Sequence, residues 1–326
     1  MTRIIPIASG KGGVGKSLVA ANLGVALARK GRTVILVDLD LGGANLHTFL
    51  GLRNRNSGIG SLYWKQERNL KALLAETGEE RLWLVPGDNL LPGVANLDWQ
   101  TKNRLIKELS GLPADFVLLD LGAGSSWNIV DFWLSSPGAL IIVVPEITSV
   151  LNAYSFLKSA AFRLLSRFFP EGGPERRELK SFVAGKREGS GPSFFDFASD
   201  LAKRSPSRGG EAVKGLSDLC PCIVVNRAVE AADADMGYRL RDIASRNLGM
   251  TLSFGAFLPE DRAVPQSLAA RRPLAASDPS APFSRAIGAF AGRLASSPPP
   301  SPISAPLPLA DVDLDSLVDE TLSGEP

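Results

Sequence analysis

Residues 8–17, ASGKGGVGKS, decide how the rest of the chain is read. From Gly10 to Ser17 they fit G-x-x-x-x-G-K-[ST], in which glycines let successive backbone N–H groups converge on phosphate oxygens and the following helix adds its positive end. The motif carries that meaning only between a strand and a helix. Both are present: RIIPIA, residues 3–8, is a short apolar run, and SLVAANLGVALARKG, residues 17–31, sets small and apolar residues at helical spacing up to Gly31. In that frame Lys16 reaches the β and γ phosphates of a nucleotide and the Ser17 hydroxyl binds Mg²⁺. Gly10, Gly12, Gly13, Val14, Gly15 and Leu18 complete the binding loop. Lys11 is surplus to a simple phosphate cradle.

Six further apolar runs follow: TVILVD (33–38), RLWLVP (81–86), DFVLLD (115–120), ALIIVV (139–144), CIVVN (222–226) and LSFGAF (252–257). Short buried strands alternating with helical patterns imply an α/β fold, a mainly parallel sheet with helices on both faces. In such a sheet, ligands sit at the C-terminal edge of the strands. Two runs end there in carboxylates. In VDLDLGGANL (37–46), Asp38 and Asp40 alternate and point to opposite sides unless the chain turns. In FVLLDLGAG (116–124), Asp120 is placed to order Mg²⁺ and its waters, and Gly122 and Gly124 leave the backbone free to rearrange around a γ-phosphate. The sole histidine, His47, is read as non-catalytic.

Composition narrows the class. The 326 residues are 44% hydrophobic, ample for a core, and 36 Lys and Arg against 34 Asp and Glu exclude a surface built wholly to coat nucleic acid. Cys220 and Cys222, one residue apart in an apolar run, read as inert thiols. No stretch has the pattern of a secretion signal or a membrane span, so a cytoplasmic location is expected. Residues 166–216 are polar and locally basic (ERRELK, AGKREGSG, LAKRSPSRGG) and read as a partly mobile insertion. The compact domain spans 1–295. Residues 296–326, a proline-rich linker followed by the acidic DVDLDSLVDETL, are expected to be disordered.

The three motifs together, KGGVGKS with its extra leading lysine, VDLDLGGANL and LLDLGAG, resemble the deviant Walker A ATPases, the group that holds the MinD, ParA and FlhG/FleN proteins. The resemblance covers about residues 1–295 and is closest to the MinD and FlhG branch, since FLGL follows the second motif and the DxDPQ of ParA proteins is absent. It implies a P-loop NTPase fold of the SIMIBI/MinD type that uses ATP and Mg²⁺. It also implies an ATP-dependent homodimer in which Lys11 reaches phosphates held by the other subunit, so that Lys11, Lys16 and Asp40 are catalytic. Asp40 would orient the attacking water, and Asp38 and Asp120 would help Ser17 hold the metal shell. Asn226 and Arg227 in VVNRA, with Pro259 and Glu260 in FLPEDRAVP, match the family's adenine pocket.

The function so implied is a dimerising spatial switch that hydrolyses ATP slowly and controls the placement or number of flagella, or the division site. The alternative is a ParA-like partition ATPase that binds DNA through the basic insertion. Family members of the MinD and FlhG type end in a basic amphipathic helix; this acidic tail is repelled by anionic lipid, so direct membrane anchoring is not expected. The dimer surface or the tail is read instead as a dock for a flagellar or division protein, which would recruit the chain to a pole or to the inner membrane face. The N-terminal extension of flagellar members is expected to be missing, as the first strand begins at Arg3.

Overall fold

In the computed structural model, which describes residues 2–53, 58–63, 69–87, 97–186, 191–296, 307, 309 and 312–323, the chain lays down eight strands. They are β1 (Arg3–Ala8), β2 (Val34–Leu39), β3 (Ala75–Glu76), β4 (Leu82–Val85), β5 (Phe116–Leu121), β6 (Leu140–Val143), β7 (Cys222–Ala228) and β8 (Ser253–Pro259). The helices begin with α1 (Lys16–Arg29), α2 (Leu46–Phe49), α3 (Ile59–Tyr63), α4 (Trp99–Leu109), α5 (Trp127–Trp133) and α6 (Ile147–Phe168). Then come α7 (Pro174–Gly185), α8 (Phe194–Arg204), α9 (Pro206–Asp218), α10 (Ala234–Leu248), α11 (Ala263–Ala269), α12 (Leu274–Ser277), α13 (Pro282–Ser296) and α14 (Leu314–Leu322).

All seven apolar runs read as strands are strands. They form one sheet in the order β3-β4-β2-β5-β1-β6-β7-β8, parallel throughout except for the two-residue β3 at the edge. Alternation along each strand divides its side chains between two cores. Ile4, Ile35, Val117, Ile141 and Val225 face α4–α10, whereas Ile5, Leu36, Leu118, Ile142 and Val224 face α1, α12 and α13. Both faces are covered, which is why the strands are almost uninterruptedly apolar. The chain leaves β1 for β2 on one side and later returns to β6 on the other, so a crevice opens at the C-terminal end of β1.

Two sequence expectations are corrected. Residues 166–186 and 191–216 hold the end of α6 and three packed helices: Leu179, Phe194, Ala198, Leu201, Ala212 and Leu216 are buried in the same core as α6. Phe182 stacks on Phe197 at 4.6 Å and meets Phe194 edge-on at 5.2 Å. A local signal existed in Ser193 and Asp196, which form a reciprocal capping box at the start of α8. Three cations of this unit are paired with carboxylates, Arg204 with Glu178 and Lys203 with Asp200 at 2.7 Å, and Arg208 with Glu175 at 3.6 Å. Arg187 lies outside the described residues.

The acidic tail is the second correction. Its residues 314–322 form α14, which packs beside the edge strand β8 and buries Leu314, Leu317 and Val318 at i, i+3 and i+4. Arg293 pairs with Glu320 at 2.8 Å, and the Thr321 hydroxyl donates to the Phe257 carbonyl at 2.9 Å. Nine residues do not hold a helix in water by propensity; the apolar groove beside β8 does so here. Residues 297–306, the core of the proline-rich linker, lie outside the described residues. Among the described residues no helix is long and apolar enough to cross a membrane.

Candidate nucleotide site

The crevice above β1 is filled by the glycine loop, and its path is set by two close approaches. A Cβ on Gly10 would stand 2.0 Å from the Asn152 carbonyl carbon in α6, so only glycine passes there. Gly15 has φ 96°, in the left-handed region, and a Cβ on it would stand 2.5 Å from Asn226 Nδ2. That nitrogen donates to the Val14 carbonyl at 2.7 Å, fastening the loop to the end of β7. Helix α1 then opens at Lys16 with no side-chain cap and no acidic residue in its first turn, which leaves its N-terminal N–H groups for an anion.

The acidic residues divide by what their oxygens do. Asp38 and Asp120 are register partners on β2 and β5, and both are buried. Burial, then the neighbouring Asp120, pushes Asp38 up to about 8. Its Oδ1 accepts from the Asp40 amide at 3.2 Å and its Oδ2 from the Leu46 amide at 3.0 Å. Asp38 therefore shapes the turn that carries Asp40, whatever part it takes in the metal shell. Burial also raises Asp120, to about 6, with Ser17 and Lys16 pulling the other way. Neither Asp120 oxygen has a hydrogen-bond partner by distance and angle. A bare, buried carboxylate beside a hydroxyl is a fit for Mg²⁺, which keeps most of its waters and takes few protein ligands. Ser17 and Asp120 would hold the ion, and when bound it would neutralise charge on phosphate oxygens. Among the described residues no cluster of three or more His, Cys, Asp or Glu side chains could hold a metal ion.

Lys16 is buried against these carboxylates; burial lowers its pKa, while Asp120 and Asp40 oppose that shift. Asp40 is half-buried and open to the cavity. The cavity has a volume of 580 Å³ and is lined by Gly12, Gly13, Gly15, Lys16, Ser17, Leu18, Asp40, Asn226, Arg227, Pro259 and Glu260, all singled out in the sequence. Because Asn226 Nδ2 is committed to Val14, its Oδ1 is left to accept from a ligand. Arg227 stands at the mouth with φ 59°, at a break in the β7–β8 register.

Lys11 lies on the rim outside the cavity, its Nζ 2.5 Å from Glu146 Oε2 and 3.5 Å from the Thr148 hydroxyl. Glu146 was not legible in the sequence, since it meets Lys11 only because β6 lies beside β1. His47 sits apart from the cavity in a small recess with Leu52, Arg53 and Glu76. Burial pushes the Cys222 thiol up to about 12, as an inert core thiol requires.

A strand, a glycine loop and a helix in this geometry define the P-loop NTPase fold. The family model described as ParA, NUBPL iron-transfer P-loop NTPase, matches residues 1–73. The flagellum site-determining protein YlxH of Helicobacter pylori is 34% identical over 163 residues, which cover 48% of this chain and 53% of that protein. The antiactivator FleN of Pseudomonas aeruginosa is 32% identical over 158 residues, covering 48% and 55%. The chain thus spans about half the length of the curated relatives it matches. Over 89% of this chain and 95% of its own, the septum site-determining protein MinD of Pyrococcus horikoshii, solved with Mg-ADP, has the same fold, with a TM-score of 0.59 at 24% identity. Residues 1–73 thus match the ParA family model, about half of the chain is similar to YlxH and FleN, and the fold is that of MinD.

Proposed function

We propose that this chain is an ATP-driven spatial switch of the deviant Walker A type: it binds Mg²⁺ and ATP, dimerises on the nucleotide, hydrolyses it slowly, and in the ATP state engages a protein that places or counts flagella or marks the division site. The observation that carries this reading is the spare lysine. Lys16 is buried beneath the loop, while Lys11 lies on the rim in a salt bridge, with a third of its side chain exposed, free to exchange Glu146 for a phosphate held by another protomer. The start of α6 beside it is apolar where a monomer has no need of it: Ile147 is 62% exposed and Leu151 49%. A second protomer would cover these side chains, and a cation delivered across the interface would stabilise the charge that develops in phosphoryl transfer.

Asp40 would orient the attacking water, a role supported by its opening to the cavity and its turn being held by Asp38. The names of the relatives that match about half of the chain, a flagellum site-determining protein and an antiactivator, support a positioning role, and we infer a cytoplasmic protein recruited by a partner. Sedimentation velocity with ATP, paired with phosphate release, tests the reading. Wild type should turn over slowly, Asp40→Ala should accumulate as an ATP dimer, and Lys16→Ala should stay monomeric and bind no nucleotide. An Asp40→Ala protein that remains monomeric with ATP bound would sink the switch.

A further inference from the structure

Part of the cavity lining is apolar. Besides Asn226 and Glu260, the cavity is lined by the apolar side chains of Phe49, Val264, Leu268 and Phe283, none of them part of the phosphate loop. Phosphates gain nothing from such a wall, whereas the faces of a purine do. Phe49 belongs to the short α2 and is only half-buried, so its ring is anchored on the core while part of it faces the cavity.

The position of Phe49 is imposed by a strained junction. Gly51, at φ 70°, sits so close to the end of α11 that a Cβ on it would stand 2.7 Å from the Arg271 carbonyl oxygen. Arg271 itself has φ 52°, a left-handed conformation uncommon for a residue with a side chain. Its amide closes the last turn onto the Leu268 carbonyl at 3.0 Å. Two left-handed residues thus clamp the end of α2 against the end of α11, and so bring Phe49 and Leu268 to the same wall. At its other end, α2 begins at the Leu46 amide, which donates to Asp38 in the turn that carries Asp40.

We propose that Phe49, backed by Leu268, is the aromatic contact for the nucleotide base and a specificity-determining residue of this site. The proposal rests on the nucleotide reading above and adds what the motif does not contain: affinity for the base, as distinct from the phosphates, is lodged in a segment continuous with the Asp40 turn. The Asn226 amide oxygen then reads the edge of the base whose face lies against Phe49.

The test compares a non-hydrolysable ATP analogue with inorganic tripolyphosphate, both titrated calorimetrically with Mg²⁺ into the full chain. Phe49→Ala should weaken the nucleotide about tenfold to a hundredfold, the range of one lost base–aromatic contact, and leave tripolyphosphate within about twofold. Phe49→Tyr should retain the nucleotide affinity. Gly51→Ala, which forces the junction apart, should show the same selective loss as Phe49→Ala. Unchanged nucleotide binding by Phe49→Ala overturns the assignment, and so does an equal loss for both ligands, which marks a general disturbance of the site. If wild type binds tripolyphosphate but gains nothing from the base, the inference alone fails; if it binds neither, the nucleotide reading fails with it.

Discussion

Asp131 on α5 is the partner of three cations, and replacing it by asparagine should expose how much of the site's frame depends on one carboxylate. Arg163 grips it with two bonds of 2.7 Å, Arg167 adds one of 3.0 Å, and Lys102 from α4 approaches to 2.5 Å. The arginine side chains are 25% and 39% exposed and can turn to water, but Lys102 is only 7% exposed. Asp131→Asn keeps the shape but leaves that buried ammonium without a counter-charge, with the neutral Asn128 Oδ1 at 3.3 Å as its other acceptor, so the loss should be about 3–5 kcal/mol, the range for breaking a buried pair from one side. Urea unfolding followed by circular dichroism reads it directly. Adding Lys102→Met should recover more than about 1 kcal/mol, because the stranded charge is then gone. A single variant that loses less than about 1 kcal/mol, or a pair whose effects simply add, would refute the reasoning.

The pH dependence carries its own sign. Burial alone would raise the Asp131 carboxyl, but Arg163, Lys102 and Arg167 outweigh it and hold the group well below the usual carboxylate range. A depressed carboxyl contributes its full stability above the unfolded pKa of about 3.9 and loses it as the pH falls toward the folded value. The gap in stability between wild type and Asp131→Asn should stay level from about pH 7 to pH 5 and shrink below about pH 4. Because α5 starts at Trp127, directly after the glycine turn that follows Asp120, this clamp also fixes the far end of that turn.

Three further outcomes are expected. Gly10→Ala drives a methyl into the backbone of α6 at Asn152 and should weaken ATP binding at least about tenfold by calorimetry, since the loop cannot keep its path. Lys11→Ala should bind ATP within about twofold of wild type as a monomer yet fail to sediment as a dimer; a normal ATP dimer would show that Lys11 has no role across the interface. Leu317→Asp places a charge in the groove beside β8, so hydrogen exchange should show α14 unprotected while ATP binding is kept; protection equal to wild type would mean that α14 is not held by its apolar stripe.

Much of this protein is local and was therefore legible in order. A phosphate loop is a matter of backbone conformation, and Gly10, Gly13 and Gly15 followed by Lys16 and Ser17 write it into eight consecutive residues. The seven buried strands announce themselves because a strand covered on both faces must be apolar at nearly every position. The carboxylates at their ends, Asp40 and Asp120, follow from the rule that ligands sit at that edge.

What only the tertiary structure decided lies in contacts between distant residues. Nothing in the spacing of Asp38 and Asp120 tells which carboxylate keeps its oxygens free; the hydrogen bonds from Asp40 and Leu46 decide it. Lys11 and Glu146 are 135 residues apart and meet because β6 pairs with β1. The acidic tail has too few apolar residues to announce a helix, and it becomes one where β8 offers a groove matched to Leu314, Leu317 and Val318. Local rules place each element, but a surface built from several elements exists only once the chain has closed on itself, because the free energy of burial belongs to the contact and not to either segment alone.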